Sequence, residues 1–119
     1  MDDRSVLVVE DNPVLAEAIT FALTTFGWTV VGPFGTNAEA LEEAHSGRFA
    51  TAVLDLDLGP ESSIPVARVL RQMGIPFLFM TGHEVAREMP DEFLGEPCLT
   101  KPVTPERLVK ELESCIGTG

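Results

Sequence analysis

Two short runs constrain this chain more than anything else in it: Val6-Leu7-Val8-Val9 and Thr51-Ala52-Val53-Leu54. Neither alternates apolar with polar residues. Such a run reads as a strand buried on both faces, and strands of that kind belong to parallel sheets covered by helices on both sides. Each run then delivers carboxylates. The first leads into Glu10-Asp11-Asn12-Pro13, the second into Asp55-Leu56-Asp57-Leu58-Gly59-Pro60. A carboxylate at the carboxyl end of a buried strand is poorly placed for structure. It is well placed for chemistry, because open parallel sheets bind ligands there. The plain alternative is a strand ending in a turn, where Asp is common.

The remaining segments supply the other layers. Asn12 can cap and Pro13 open a helix with apolar residues at Val14, Leu15, Ala18, Ile19, Ala22, Leu23 and Phe26, stopped by Gly27. Trp28-Thr29-Val30-Val31 is a second strand, closed by Gly32-Pro33. Thr36 or Asn37 opens a second helix that ends at Gly47. Ser62 and Ser63 precede a third helix carrying Ile64, Val66, Ala67, Val69, Leu70 and Met73. Residues 75–80 are a fourth strand, ending at Thr81-Gly82-His83. Residues 84–96, interrupted by Pro90 and closed by Gly95, are the weakest helical segment and are expected to form a short or mobile element. Cys98-Leu99-Thr100 is a fifth strand, followed by Lys101-Pro102. Thr104 caps a last helix with Pro105 at its first position and Leu108, Val109, Leu112, Cys115 and Ile116 on its apolar face. Five strands alternating with five helices predict an α/β fold: a flavodoxin-like (βα)5 doubly wound parallel sheet, strand order 2-1-3-4-5. The expectation is one domain over residues 1–119.

Charge narrows the partners. The formal net charge of -11, from 8 basic and 19 acidic residues, should repel nucleic acid and anionic membranes. No direct DNA binding is expected; a metal cation or a basic protein surface suits it. No apolar run approaches a membrane span, and Met1-Asp2-Asp3-Arg4-Ser5 is not a signal peptide, so the expected location is cytoplasmic. Cys98 and Cys115 have no zinc or redox-motif spacing and read as small core residues in a reducing compartment.

The predicted fold gathers the strand ends. The first strand contributes Glu10 and Asp11, the third Asp55 and Asp57, the fourth Thr81, the fifth Lys101. Carboxylates crowded in one crevice raise one another's pKa values, and a divalent cation removes that conflict. Oxygen ligands with water in the other positions favour Mg²⁺, with Mn²⁺ also suited. A carboxylate beside such an ion can attack phosphorus and form an acyl phosphate. Lys101 would add positive charge and Thr81 a hydroxyl donor, with backbone N–H groups near Leu56, Asp57 and Gly82 for further oxygens. Taken singly, each residue has a simpler reading. Glu10-Asp11 suits a helix entry, Thr81 a strand end, Lys101 a solvated loop, and His83 a loop histidine. The case rests on four strand ends each carrying what one chemistry requires.

At this point the chain resembles a bacterial two-component response-regulator receiver, a CheY-like domain. The motifs are Leu7-Val8-Val9-Glu10-Asp11, Leu54-Asp55, Met80-Thr81-Gly82 and Thr100-Lys101-Pro102, in family order from Val6 to Ile116. The resemblance implies that Asp55 accepts a phosphoryl group from a histidine kinase or histidine phosphotransfer protein. It implies a signalling domain rather than an enzyme, assisting only its own phosphorylation and dephosphorylation. It implies Mg²⁺ held by Glu10, Asp11, Asp55 and the Asp57 backbone carbonyl, with Thr81 reorienting and Lys101 pairing on the phosphoryl group. An output partner would meet the face of the fourth helix, fifth strand and fifth helix, and the kinase would dock near the first helix. Receivers tune phosphate lifetime at the positions of Asp57 and His83. Cys98 stands where the family usually has an aromatic switch residue, which leaves the usual Thr–aromatic coupling open. Gly82 stands where Ala is frequent, and Phe79-Met80-Thr81-Gly82 is similar to the Phe-Ala-Thr-Gly motif of an often stand-alone alphaproteobacterial subgroup. Two other readings compete. Asp55-Leu56-Asp57 also matches haloacid-dehalogenase-like phosphatases, although there the Asp-x-Asp strand usually comes first. A receiver-like module that is never phosphorylated is the other.

Overall fold

The computed structural model describes residues 4–82 and 89–117. In chain order its elements are β1 (Ser5–Val9), α1 (Pro13–Thr25), β2 (Thr29–Phe34), α2 (Asn37–Ser46) and β3 (Thr51–Asp55). A small hairpin follows, β4 (Asp57–Leu58) and β5 (Glu61–Ser62), then α3 (Ile64–Gln72) and β6 (Phe77–Thr81). A 3-10 turn at Asp91–Phe93, β7 (Cys98–Thr100) and α4 (Pro105–Cys115) complete it. The main sheet has the order β2-β1-β3-β6-β7, and every neighbouring pair in it is parallel. This is the flavodoxin-like order 2-1-3-4-5; the numbers shift only because the hairpin takes four and five.

The unbroken apolar runs are buried on both faces. Along β1, Leu7 and Val9 face one core with Leu54, Phe77 and Phe79, under α2 and α3. Val6 and Val8 face the other with Val53, Leu78 and Met80, under α1 and α4. Successive side chains alternate faces, so a run without alternation fills two cores at once. The helix starts follow their capping residues. Asn12 accepts from the N–H groups of Val14 and Leu15, Thr36 from Glu39, and Thr104 from Arg107.

Several expectations need correction. β2 does not stop at Gly32-Pro33 but continues to Phe34, with its register against β1 shifting between Leu7 and Val9. Of the apolar face expected from the first helix, Val14, Ala18 and Phe26 are exposed, as is Phe21; Ala16, Ile19 and Leu23 are buried. Helical spacing defines a stripe, but not how much of it the sheet covers. Cys98 is exposed and so is not a core residue, while Cys115 is half-buried at the margin of the core under α1 and α4. β7 is a three-residue edge strand on which only Leu99 is buried, and Cys115 lies in the last turn of α4. The expected fourth helix falls in part on residues 83–88, outside the described residues; the 3-10 turn at Asp91–Phe93 is what the described part contains. There Phe93, 1% exposed, packs edge-on against Phe77 and Phe79 at 6.0 and 5.7 Å. No helix among the described residues is long and apolar enough to cross a membrane.

Candidate functional site

The carboxyl ends of β1, β3, β6 and β7 lie side by side because the sheet places β1 against β3, β3 against β6, and β6 against β7. Asp55 is the last residue of β3 and is 3% exposed, as is Glu10, which follows β1. Asp11, one residue further, is exposed. One carboxylate oxygen from each of Glu10, Asp11 and Asp55 lies within 4.8 Å of the others, the only such group of potential metal ligands among the described residues.

Lys101 closes the group from the β7 side. Its Nζ donates to Asp55 Oδ2 at 2.9 Å and to Glu10 Oε1 at 3.2 Å. Its backbone N–H donates to the Thr81 carbonyl at 2.8 Å, which fixes the loop after β7 against the end of β6. The other oxygens are also engaged. Asp55 Oδ1 accepts from the Asp57 N–H at 3.2 Å, and Glu10 Oε2 from the Asn12 N–H at 3.2 Å. Burial and the hydrogen bond with Asp55 push the Glu10 carboxyl up to about 7, against the opposing pull of the Asn12 N–H and the Lys101 charge. Burial alone would lower the Lys101 pKa; hydrogen bonds and charge from Asp55 and Glu10 outweigh it, and the net shift is upward. The site thus carries more negative charge than one lysine neutralises. Three convergent oxygens and one strained proton equilibrium fit a hard divalent cation.

Thr81 is 1% exposed, and its hydroxyl donates to the Gly82 carbonyl at 2.8 Å. Asp57 is exposed, and its side chain is not in the acidic group. Of the N–H groups expected to hold further oxygens, that of Leu56 is taken by the Met80 carbonyl and that of Asp57 by Asp55. Gly82 is exposed at the end of β6. Cys98 pairs in register with Phe79, on the outer edge of the sheet. His83 lies outside the described residues.

The sequence reading missed the β4–β5 hairpin, which covers one side of the site. A Cβ placed on Gly59 would lie 3.5 Å from Asp11 Oδ2, and Gly59 has φ +74. Gly at the first central position of a two-residue loop is the available signal, since that position needs positive φ. The other side is a groove of about 660 Å³ between α1 and the β2–α2 connection, lined by residues including Asp11, Pro13, Phe21 and Pro33.

Comparison with known proteins agrees with this geometry. The family model described as response regulator receiver domain matches residues 6–113. The probable transcriptional regulatory protein TcrX of Mycobacterium tuberculosis is 32% identical over 116 residues, covering 94% of this chain and 49% of that protein. The chain therefore spans about half the length of the curated relatives it matches. The solution structure of SdrG from Sphingomonas melonis is similar at TM-score 0.82 and 34% identity, covering 98% of both chains. The receiver domain of sensor histidine kinase PA1611 from Pseudomonas aeruginosa, solved with a magnesium ion coordinated in its active site cleft, is similar at TM-score 0.83 and 25% identity, covering 96% of this chain and 98% of that one.

Proposed function

From the premise that this chain belongs to the response regulator receiver domain family of two-component systems, we propose that Asp55 is its phosphoacceptor and that Mg²⁺ is required for the transfer. The observation that carries this reading is Asp55 itself. It is a 3%-exposed carboxylate at the end of the central strand, within 4.8 Å of two others and 2.9 Å from a lysine ammonium.

Glu10, Asp11 and Asp55 would hold the ion, with the Asp57 backbone carbonyl as a further oxygen. When bound, it would offset the carboxylate charge and polarise the phosphoryl oxygens. An Asp55 oxygen attacks phosphorus, the bond from phosphorus to the donor's nitrogen or oxygen breaks, and the leaving group keeps the electron pair. Lys101 then pairs with the phosphoryl group. Thr81 exchanges the Gly82 carbonyl for a phosphoryl oxygen, a trade of one hydrogen bond for another. Asp57, with His83, is proposed to set how long the acyl phosphate survives. The donor is a histidine kinase or phosphotransfer protein. The exposed apolar strip of α1, with Val14 78% and Phe21 71% exposed, supports docking there.

The output is a change in protein contacts on the side of β7 and α4 rather than turnover of a substrate. The net charge of -11 argues against this stretch itself touching DNA. MtrA of Mycolicibacterium smegmatis is a DNA-binding response regulator, and this chain matches half of it. Residues 1–119 as one receiver unit, alone or joined to an output segment, accommodate either arrangement.

Intact mass after incubation with acetyl phosphate and Mg²⁺ tests the proposal. One Mg²⁺-dependent phosphoryl group is expected, absent in Asp55→Asn. A gain that survives Asp55→Asn refutes the assignment. Steady hydrolysis of a phosphate monoester in the same mixture would favour the dehalogenase-like alternative.

A further inference from the structure

Asn37 and Glu61 lie outside the acidic group and take no part in the transfer described above, yet they join two elements beside it. Glu61, on β5, accepts a hydrogen bond from the Asn37 N–H at 2.8 Å, at the first residue of α2. Asn37 Nδ2 donates back to the Ser62 carbonyl at 2.6 Å. These two bonds fasten the hairpin to α2. The same hairpin begins with the Asp57 N–H on Asp55 Oδ1, and its turn at Gly59 approaches Asp11. Leu58, 3% exposed, anchors its middle in the core. Asn37 Oδ1 has no hydrogen-bond partner among the described residues, so the side chain's link to the hairpin is its amide nitrogen alone.

We propose that Asn37 and Glu61 are positioning residues for the divalent cation. The tether from α2 holds the hairpin at a fixed distance from Asp11 and Asp55, so that the Asp57 backbone keeps its place at the site. This inference rests on the metal reading above. The competing account makes Glu61 only a distant cap for α2, where a carboxylate on a first-turn N–H is favourable whether or not any ion binds.

The test is calorimetric titration of Mg²⁺ into wild type, Asn37→Ala, Glu61→Ala and Glu61→Gln at pH 8. Amide hydrogen exchange across residues 57–62 is measured in the metal-free proteins. Supports to metal ligands typically govern affinity by an order of magnitude or more, so Asn37→Ala and Glu61→Ala should weaken Mg²⁺ binding about tenfold. Exchange across the hairpin should accelerate, and labelling by acetyl phosphate should recover its wild-type rate at saturating Mg²⁺. Glu61→Gln keeps an acceptor for the Asn37 N–H and should retain wild-type affinity. Equal loss in Glu61→Gln and Glu61→Ala would assign the effect to charge and overturn the proposal. Wild-type affinity in Asn37→Ala and Glu61→Ala, with only a lower melting temperature, would leave Glu61 as a cap and overturn it too. Wild type that takes up no Mg²⁺ refutes the metal reading itself, and is seen before any variant is compared.

Discussion

Shifting the pH across the Glu10 titration is the sharpest probe of the site. Glu10 ionises near 7 in the folded, metal-free protein, because it is buried and shares a hydrogen bond with Asp55. Its ionised fraction falls from about 0.9 at pH 8 to about 0.1 at pH 6. A cation must displace the remaining proton, so apparent Mg²⁺ affinity should weaken about tenfold over that range from Glu10 alone, with close to one proton released per ion at pH 6. Stability follows with a defined sign. A carboxyl whose folded pKa lies above its unfolded value binds more protons when folded between 4.5 and about 7. Metal-free stability should therefore fall as pH rises through that window, by roughly 1–3 kcal/mol. Saturating Mg²⁺ should flatten the profile. Calorimetric titration at pH 6, 7 and 8, in two buffers of different ionisation enthalpy, reads affinity and proton release together. Trp28 is not a suitable reporter, since it precedes β2 at the amino end of the sheet. Equal affinity at pH 6 and pH 8, with no proton released at pH 6, would refute the reasoning. Glu10→Gln should abolish both the pH dependence and the proton release.

Lys101→Met leaves the buried Asp55 and Glu10 without their ammonium partner and should cost about 2–3 kcal/mol at pH 8. The loss should shrink at pH 6, where Glu10 takes up a proton, and with Mg²⁺; equal destabilisation under all three conditions would contradict the charge argument. Phe93→Ala removes a 1%-exposed ring wedged against Phe77 and Phe79 and stacked under Arg71 at 4.4 Å, and should cost about 3–5 kcal/mol by urea denaturation. A cost under about 1 kcal/mol would mean that the 3-10 turn is not part of the core. Asn12→Ala removes the acceptor for two N–H groups of α1 and should lower stability by about 1 kcal/mol. Asp57→Asn should change the decay rate of the phosphorylated protein, followed by intact mass, with its initial labelling rate much less affected; an unchanged decay rate removes Asp57 from lifetime control.

The parallel sheet was legible because its signals are dense and local. Val6 to Val9 could fill two cores only from an inner strand, and Asn12, Thr36 and Thr104 could cap only what followed them. What escaped the sequence depends on contacts between distant segments. The stripe on α1 was visible, but that its members Val14 and Ala18 face outward depends on how much of the helix the sheet covers. Phe93 had no periodic neighbours to mark it as core. Its burial comes from Phe77 and Phe79 beneath it and from Arg71 over its ring, whose guanidinium reaches the Glu92 carbonyl and the Glu96 carboxylate across more than twenty residues of sequence.

The same division runs through the site. Residue types and strand ends suffice to place Glu10, Asp11, Asp55 and Lys101 in one crevice, because parallel topology alone brings those ends together. Topology does not specify the resting bonds. Thr81 rests on the Gly82 carbonyl, so a phosphoryl group on Asp55, as proposed, would have to compete with a satisfied hydrogen bond rather than capture a free hydroxyl. Competition between nearly equal bonds costs little, and small biases then decide the outcome. Cys98 is exposed and carries no ring, so the proposed Thr81 movement would have none at that position to displace. The backbone bond from the Lys101 N–H to the Thr81 carbonyl remains as a direct link between the two strand ends. A signal leaving Asp55 by that route would pass through Lys101 itself, which among the described residues donates to both buried carboxyl groups.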